Sequence, residues 1–145
     1  MIRPLIVTAM AAFLALPAFA SDKEDIEKLM AGYHEAVVAH DGEKVKSFFL
    51  PQGTAWFTVV SASHKLRPGS YQDFASFVST TKSALDPRHT ELELRSDGTV
   101  ATVWFRFQFM IDGKEENRGH ETWQLVKTEQ GWRIAALSYS SDPAS

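Results

Sequence analysis

Thr99–Ile111, TVATVWFRFQFMI, alternates along nearly its whole length. Ala101, Val103, Phe105, Phe107 and Phe109 fall on one side, and Thr102, Trp104, Arg106 and Gln108 on the other. A period of two is the signature of a strand with one face in a core. Asp112-Gly113 follows as a hairpin turn. A second strand is expected over Asn117–Lys127 (NRGHETWQLVK), then a turn at Thr128–Gly131, then a strand over Trp132–Ser140 (WRIAALSYS). Upstream, His89–Arg95 and the Asp97-Gly98 turn add one more strand, so this half of the chain reads as an antiparallel meander.

The first half changes period. Ile26, Leu29, Met30, Tyr33, Val37 and His40 fall at helical spacing, which predicts a helix over Asp22–His40. Asp41 is placed to cap a short second helix, Gly42–Phe49, and Leu50-Pro51-Gln52-Gly53 stops it. Thr54–Ser61 (TAWFTVVS) is rich in β-formers and reads as a strand, followed by a polar loop, His64–Gly69. Ser70 caps a third helix whose inward residues are expected to be Phe74, Phe77 and Val78, and Asp86-Pro87 breaks the connection after it. Three helices around one early strand, then the meander, make an α+β fold with helices on one face of a curved sheet.

Ahead of the first helix stands a leader. Arg3 is followed by an apolar run over Leu5–Leu16, then Pro17, then Ala18-Phe19-Ala20 as a small-x-small site. This reads as a signal peptide over residues 1–20, cleaved after Ala20, with a single domain over 21–145 and a loose tail at 141–145. The run is shorter than the ~20 residues a spanning helix needs, so no membrane anchor is expected. Of the 145 residues none is cysteine, which excludes disulfides and thiolate chemistry. The expected location is periplasmic or secreted. The formal net charge of −3, with no basic stripe, argues against a nucleic-acid partner.

Several stretches resemble the NTF2-like superfamily and its SnoaL-like members. These are the helix ending at His40-Asp41-Gly42, the short helix with Phe48-Phe49, the helix start Gly69-Ser70-Tyr71-Gln72-Asp73-Phe74, and Gly119–Thr128 running through a turn into Gly131-Trp132-Arg133-Ile134. The resemblance implies a cone: three N-terminal helices packed on a strongly curved, mainly antiparallel sheet, with a pocket at the wide end. It also implies frequent homodimers through the outer sheet face. It implies no particular reaction, because the superfamily holds isomerases, dehydratases, cyclases and binding domains.

A two-residue turn at Asp112-Gly113 pairs Phe105 with His120 and Val103 with Thr122. The phenylalanine face, taken as concave, then carries Arg118, His120, Thr122 and Gln124, joined by Ala135, Leu137 and Tyr139. Trp104, Glu121, Trp123, Trp132 and Ile134 fall outside, with Trp104 and Trp123 suited to a dimer interface. One bulge would swap the faces. The candidate pocket is Tyr33, Trp56, Phe105, Phe107, His120, Thr122, Gln124 and Tyr139. His120 reads as a general base or as a hydrogen-bonded sheet histidine. His34 lies off the apolar stripe and is expected to be exposed. His89 and Glu91 alternate on a strand but complete no ligand set, so no metal is expected. No phosphate loop or nucleophile elbow is present, and no cofactor is expected. Two readings stay open beside small-ligand binding: a SnoaL-like or ketosteroid-isomerase-like enzyme with His120 as general base, and a protein-interaction module on the outer face. The absence of an acid from the expected concave face weighs against the enzyme.

Overall fold

The computed structural model describes residues 18–143. Most of the expected leader lies outside that range. The elements run α1 (Ala18–Val38), α2 (Gly42–Ser47), β1 (Ala55–Val60), β2 (Lys65–Pro68), α3 (Tyr71–Thr80), β3 (Leu85–Ser96), β4 (Val100–Ile111), β5 (Lys114–Thr128) and β6 (Gly131–Pro143). They make an α+β fold, with three helices packed against a curved six-stranded sheet of order β2-β1-β6-β5-β4-β3. Among the described strands only β1 and β6 pair in parallel, and an isolated parallel bridge joins Phe49 to Ile134. Among the described residues no helix is long and apolar enough to cross a membrane.

Local chemistry sets the helix starts. The Asp41 carboxylate accepts the Lys44 N–H at 2.9 Å at the head of α2, and the Ser70 hydroxyl accepts the Asp73 N–H at 3.1 Å at the head of α3. The core lies between α1, α2, α3 and the inner sheet face. Ile26, Val37, Val45, Val78, Val103, Leu125 and Ile134 are shut off from solvent completely. Burying side chains of this size stabilises the fold by about 1.5–3 kcal/mol each before entropy is counted.

Several element assignments differ from the sequence reading, and α1 begins at Ala18 rather than Asp22. The polar loop after β1 contains a short strand, β2, paired antiparallel to β1 from Pro68 opposite Phe57 to Lys65 opposite Val60. β3 begins at Leu85 and carries Pro87 opposite Phe109; an edge strand tolerates proline because the missing N–H faces no neighbour. β6 continues past Ser140 to Pro143, since Ser141 still pairs with Val60 and Asp142 with Arg118. In α3 the inward residues are Tyr71, Ala75 and Val78, while Phe77 is exposed.

The sheet carries three irregularities. In β3 the register shifts between Thr90 and Glu93, where Glu91 takes a positive φ of 56°. Between β5 and β6, Gln124 pairs with Ala136 but Leu125 with Ile134, so an extra residue bulges at Ala135. Between β4 and β5, Met110 pairs with Glu115 but Phe109 with Asn117, leaving Glu116 as the extra residue. The last of these determines which residues reach the concave face.

Candidate functional site

With Glu116 bulged, Phe105 faces Glu121 rather than His120, and Val103 faces Trp123 rather than Thr122. The phenylalanine face is indeed the inner one: Ala101, Val103, Phe105 and Phe107 are buried. The residues beside them on β5, however, are Glu121, Trp123 and Leu125. Trp123 and Leu125 are themselves buried, and so are Trp132 and Ile134 of β6. Glu121, Trp123, Leu125, Trp132 and Ile134 thus reverse the side expected for them, because a one-residue slip turns the side chains beyond it over, while the second extra residue, Ala135, leaves Leu137 and Tyr139 on the expected inner face.

A cavity of about 700 Å³ opens between this face, α1 and the start of α3. Its interior is aromatic. Tyr33 meets Trp123 edge to face, with ring centroids 5.2 Å apart, and lies parallel to Phe74 at 6.3 Å. Trp56 lies 5.6 Å from Phe74 and 6.4 Å from Tyr139, and Phe107 lies 5.5 Å from Tyr139. Phe105 adds to the circuit against Trp123 at 5.4 Å. Edge-to-face pairs of this kind hold rings in defined orientations. Gly69 stands directly behind Trp56: a Cβ there would meet the indole at 2.4 Å, so the loop can pass only without a side chain.

Glu121 sits within this circuit of rings. It pairs across the sheet with Phe105 on one side and Tyr139 on the other. Its Oε1 accepts the Trp123 indole N–H at 2.6 Å. Burial raises the Glu121 carboxyl from 4.5 to about 7, although the indole hydrogen bond pulls the other way. The side chain retains partial exposure only because the cavity opens onto it. Burial, then the Glu121 charge, then Tyr139 push the Tyr33 phenol well above its usual 10, so it remains a donor at neutral pH.

Nearer the mouth, His34 and His89 line the wall. The His34 Nδ1 contacts the Pro87 carbonyl, which can only accept; Nδ1 therefore carries the hydrogen, and Nε2 remains available. Burial, followed by His34, lowers the His89 pKa below 6.5. Arg67, Asp73, Arg88 and Glu116 stand exposed at the rim. Among the described residues no group of three or more His, Asp and Glu is arranged to hold a metal.

Of the eight pocket residues named from sequence, Tyr33, Trp56, Phe105, Phe107 and Tyr139 line this cavity. His120, Thr122 and Gln124 do not: the β5 bulge turns them to the outer face. His120 instead stacks on Trp104, with centroids 5.3 Å apart and planes 18° apart, and its backbone N–H donates to the Ser140 hydroxyl at 2.9 Å. His34, expected to be exposed, is half-buried in the cavity wall, because α1 turns it toward β3 and Pro87. Glu121, expected on the outer face, lines the cavity instead. A signal for it existed: Trp123 and Leu125 alternate with polar Thr122 and Gln124, and that alternation favours odd-numbered residues inside.

Residues 18–138 match the profile of the SnoaL-like domain family. A search of curated proteins returned no match. Solved structures with the same fold include an NTF2-like protein of unknown function from Shewanella baltica, 18% identical, with a TM-score of 0.65 over 89% of this chain and 100% of that one. A candidate aromatic ring hydroxylase from Novosphingobium aromaticivorans is 20% identical, with a TM-score of 0.68 over 90% of this chain and 94% of that one. A candidate scytalone dehydratase from the same organism is 13% identical, with a TM-score of 0.70 over 86% and 87%. With helices on a curved sheet, an aromatic interior and a profile match over most of its length, this chain belongs to the SnoaL-like domain family of the NTF2-like superfamily.

Proposed function

We propose that this chain is an exported domain that holds a small, partly apolar molecule in its aromatic cavity. The carrying observation is the cavity itself: about 700 Å³, walled by rings, with polar tips from Tyr33, Tyr139 and Glu121 inside it. That volume and that mixture of apolar wall and few polar groups suit a small organic ligand. The leader with Arg3, its apolar run and Ala18-Phe19-Ala20 supports export, and a periplasm is the compartment proposed. The same domain is proposed to pair as a homodimer through its outer face, where Trp104 is 48% exposed and stacks on His120. Native mass spectrometry of protein purified from its own compartment tests the ligand reading. A co-purified small molecule that Trp56→Ala removes supports it; ligand-free protein that takes up no apolar dye overturns it.

A second reading is favoured by one observation. Glu121 holds a proton affinity near neutrality beside a phenol that stays protonated. A general base works best when its pKa lies near the working pH. In an enzymatic reading Glu121, rather than His120, accepts a proton from the substrate, and Tyr33 steadies the oxygen on which charge develops. Loss of turnover in Glu121→Gln, with a wild-type rate that rises through pH 7, would support catalysis. An unchanged rate in that variant would remove Glu121 from the reaction.

A further inference from the structure

We propose that the cavity selects an organic cation, an ammonium head carrying apolar substituents, held among Tyr33, Trp56, Trp123 and Tyr139 against the Glu121 carboxylate. The inference rests on the reading of the cavity as a ligand site and adds the charge of the ligand. Three features point the same way. First, the rings form a nearly closed circuit, from Trp123 through Tyr33, Phe74, Trp56 and Tyr139 to Phe107, with Phe105 against Trp123. Ring faces carry negative potential and attract cations, most strongly where water is excluded. Second, Glu121 is the carboxylate set within that circuit, between Phe105 and Tyr139 in the sheet. Third, no lysine, arginine or histidine pairs with Glu121 among the described residues; its one protein donor is the neutral Trp123 indole at 2.6 Å.

A carboxylate within a wall of rings is poorly solvated and lacks a counter-charge. A cationic guest supplies that charge and meets the ring faces at once. A neutral guest can only hydrogen-bond to the carboxyl, and an anionic guest is repelled by it. The groups elsewhere in the cavity do not set the sign. Arg67 and Arg88 at the rim are equalled in number there by Asp73 and Glu116, and Arg88 is held by Asp86 at 2.7 Å. On α1 and β3, His34 donates to the Pro87 carbonyl, and His89 is biased toward its neutral form. Tyr139, paired with Glu121 across the sheet, and Tyr33, which feels its charge, carry phenol groups.

The test uses the chain without its leader and a neutral dye that fluoresces in apolar surroundings, N-phenyl-1-naphthylamine. Benzyltrimethylammonium and its uncharged isostere neopentylbenzene compete for the dye at pH 8 and pH 5.5. The cation is expected to displace the dye at least about tenfold more effectively than the isostere at pH 8. The preference should shrink at pH 5.5, where a carboxyl with its pKa at about 7 is mostly protonated. In Glu121→Gln, with each displacement scaled to that variant's own dye affinity, it should fall to within about threefold at both pH values. Dye uptake with equal or better displacement by the isostere at pH 8 overturns the cation inference and leaves the ligand reading standing. A preference unchanged in Glu121→Gln also overturns it. Absence of dye uptake by the wild type overturns the ligand reading as well.

Discussion

Replacing Glu121 with glutamine should stabilise the empty protein, and increasingly so as pH rises. The amide has the shape of the carboxyl and keeps an oxygen for the Trp123 indole, so the packing is preserved. What changes is the charge. Burial raises the carboxyl from 4.5 to about 7 in the folded protein. For an acid shifted upward, the folded chain retains a proton that the unfolded chain has released. Its contribution to stability is therefore most favourable below pH 4.5, falls as pH climbs from there to about 7, and is flat above. At about 1.4 kcal/mol for each pKa unit, the full penalty for the ionised group is about 3–4 kcal/mol. Water in the open cavity reduces this, so a gain of about 1–3 kcal/mol at pH 8 is expected for Glu121→Gln, shrinking toward zero near pH 4.5. Urea unfolding followed by tryptophan fluorescence, at unit steps from pH 5 to pH 8, measures it directly. A stability difference that stays constant over that range, or favours the wild type more as pH rises, would refute the placement of an isolated carboxylate among these rings.

Other outcomes follow from neighbouring geometry. Trp123→Phe keeps a ring but removes the N–H that Glu121 accepts at 2.6 Å, so the Glu121 carboxyl should titrate still higher; a carbon-13 NMR titration that shows it unmoved or lowered contradicts this. Asp22 is 1% exposed and accepts from Lys127 Nζ at 2.8 Å and from the Ser96 hydroxyl at 3.3 Å. Asp22→Ala should cost about 1–3 kcal/mol in urea unfolding, since the partly exposed Lys127 can be rehydrated while Ser96 loses its acceptor; a loss under about 0.5 kcal/mol would show that the clamp is idle. Gly69→Ala puts a methyl 2.4 Å from the Trp56 ring and should drive that indole into the cavity. Dye affinity should then drop at least about threefold, and unaltered affinity would mean that Trp56 does not bound the site.

Much of the architecture can be read without coordinates, and the reasons are local. Thr99–Ile111 alternates too regularly to be anything but a half-buried strand, and β4 spans Val100–Ile111. Asp41 and Ser70 announce helix starts because a short oxygen-bearing side chain satisfies an orphan N–H within its own turn. Asp112 and Gly113 both take positive φ, as the tight turn requires. The strand β2 was not legible because Lys65–Pro68 is exposed throughout and carries no alternation. Its partner β1 supplies the hydrogen bonds that make it a strand.

The site was legible by half, and the boundary falls at a single residue. Tyr33 belongs to a helical stripe, Trp56 to a β-rich run, and Phe105 and Phe107 to an alternating strand; each is placed by the period of its own element. Which residues of β5 join them depends on pairing between strands. A bulge at Glu116 costs little locally and has no sequence signature as strong as a turn, yet it turns His120 outward and Glu121 inward. The sequence by itself determined the elements other than β2, their order, the family and the aromatic character of the interior, because each of these depends on residues close in the chain. The tertiary structure alone decided that a carboxylate, not an imidazole, stands within the ring of aromatics. A register is a relation between two segments, and it is set by how both bury their apolar faces together.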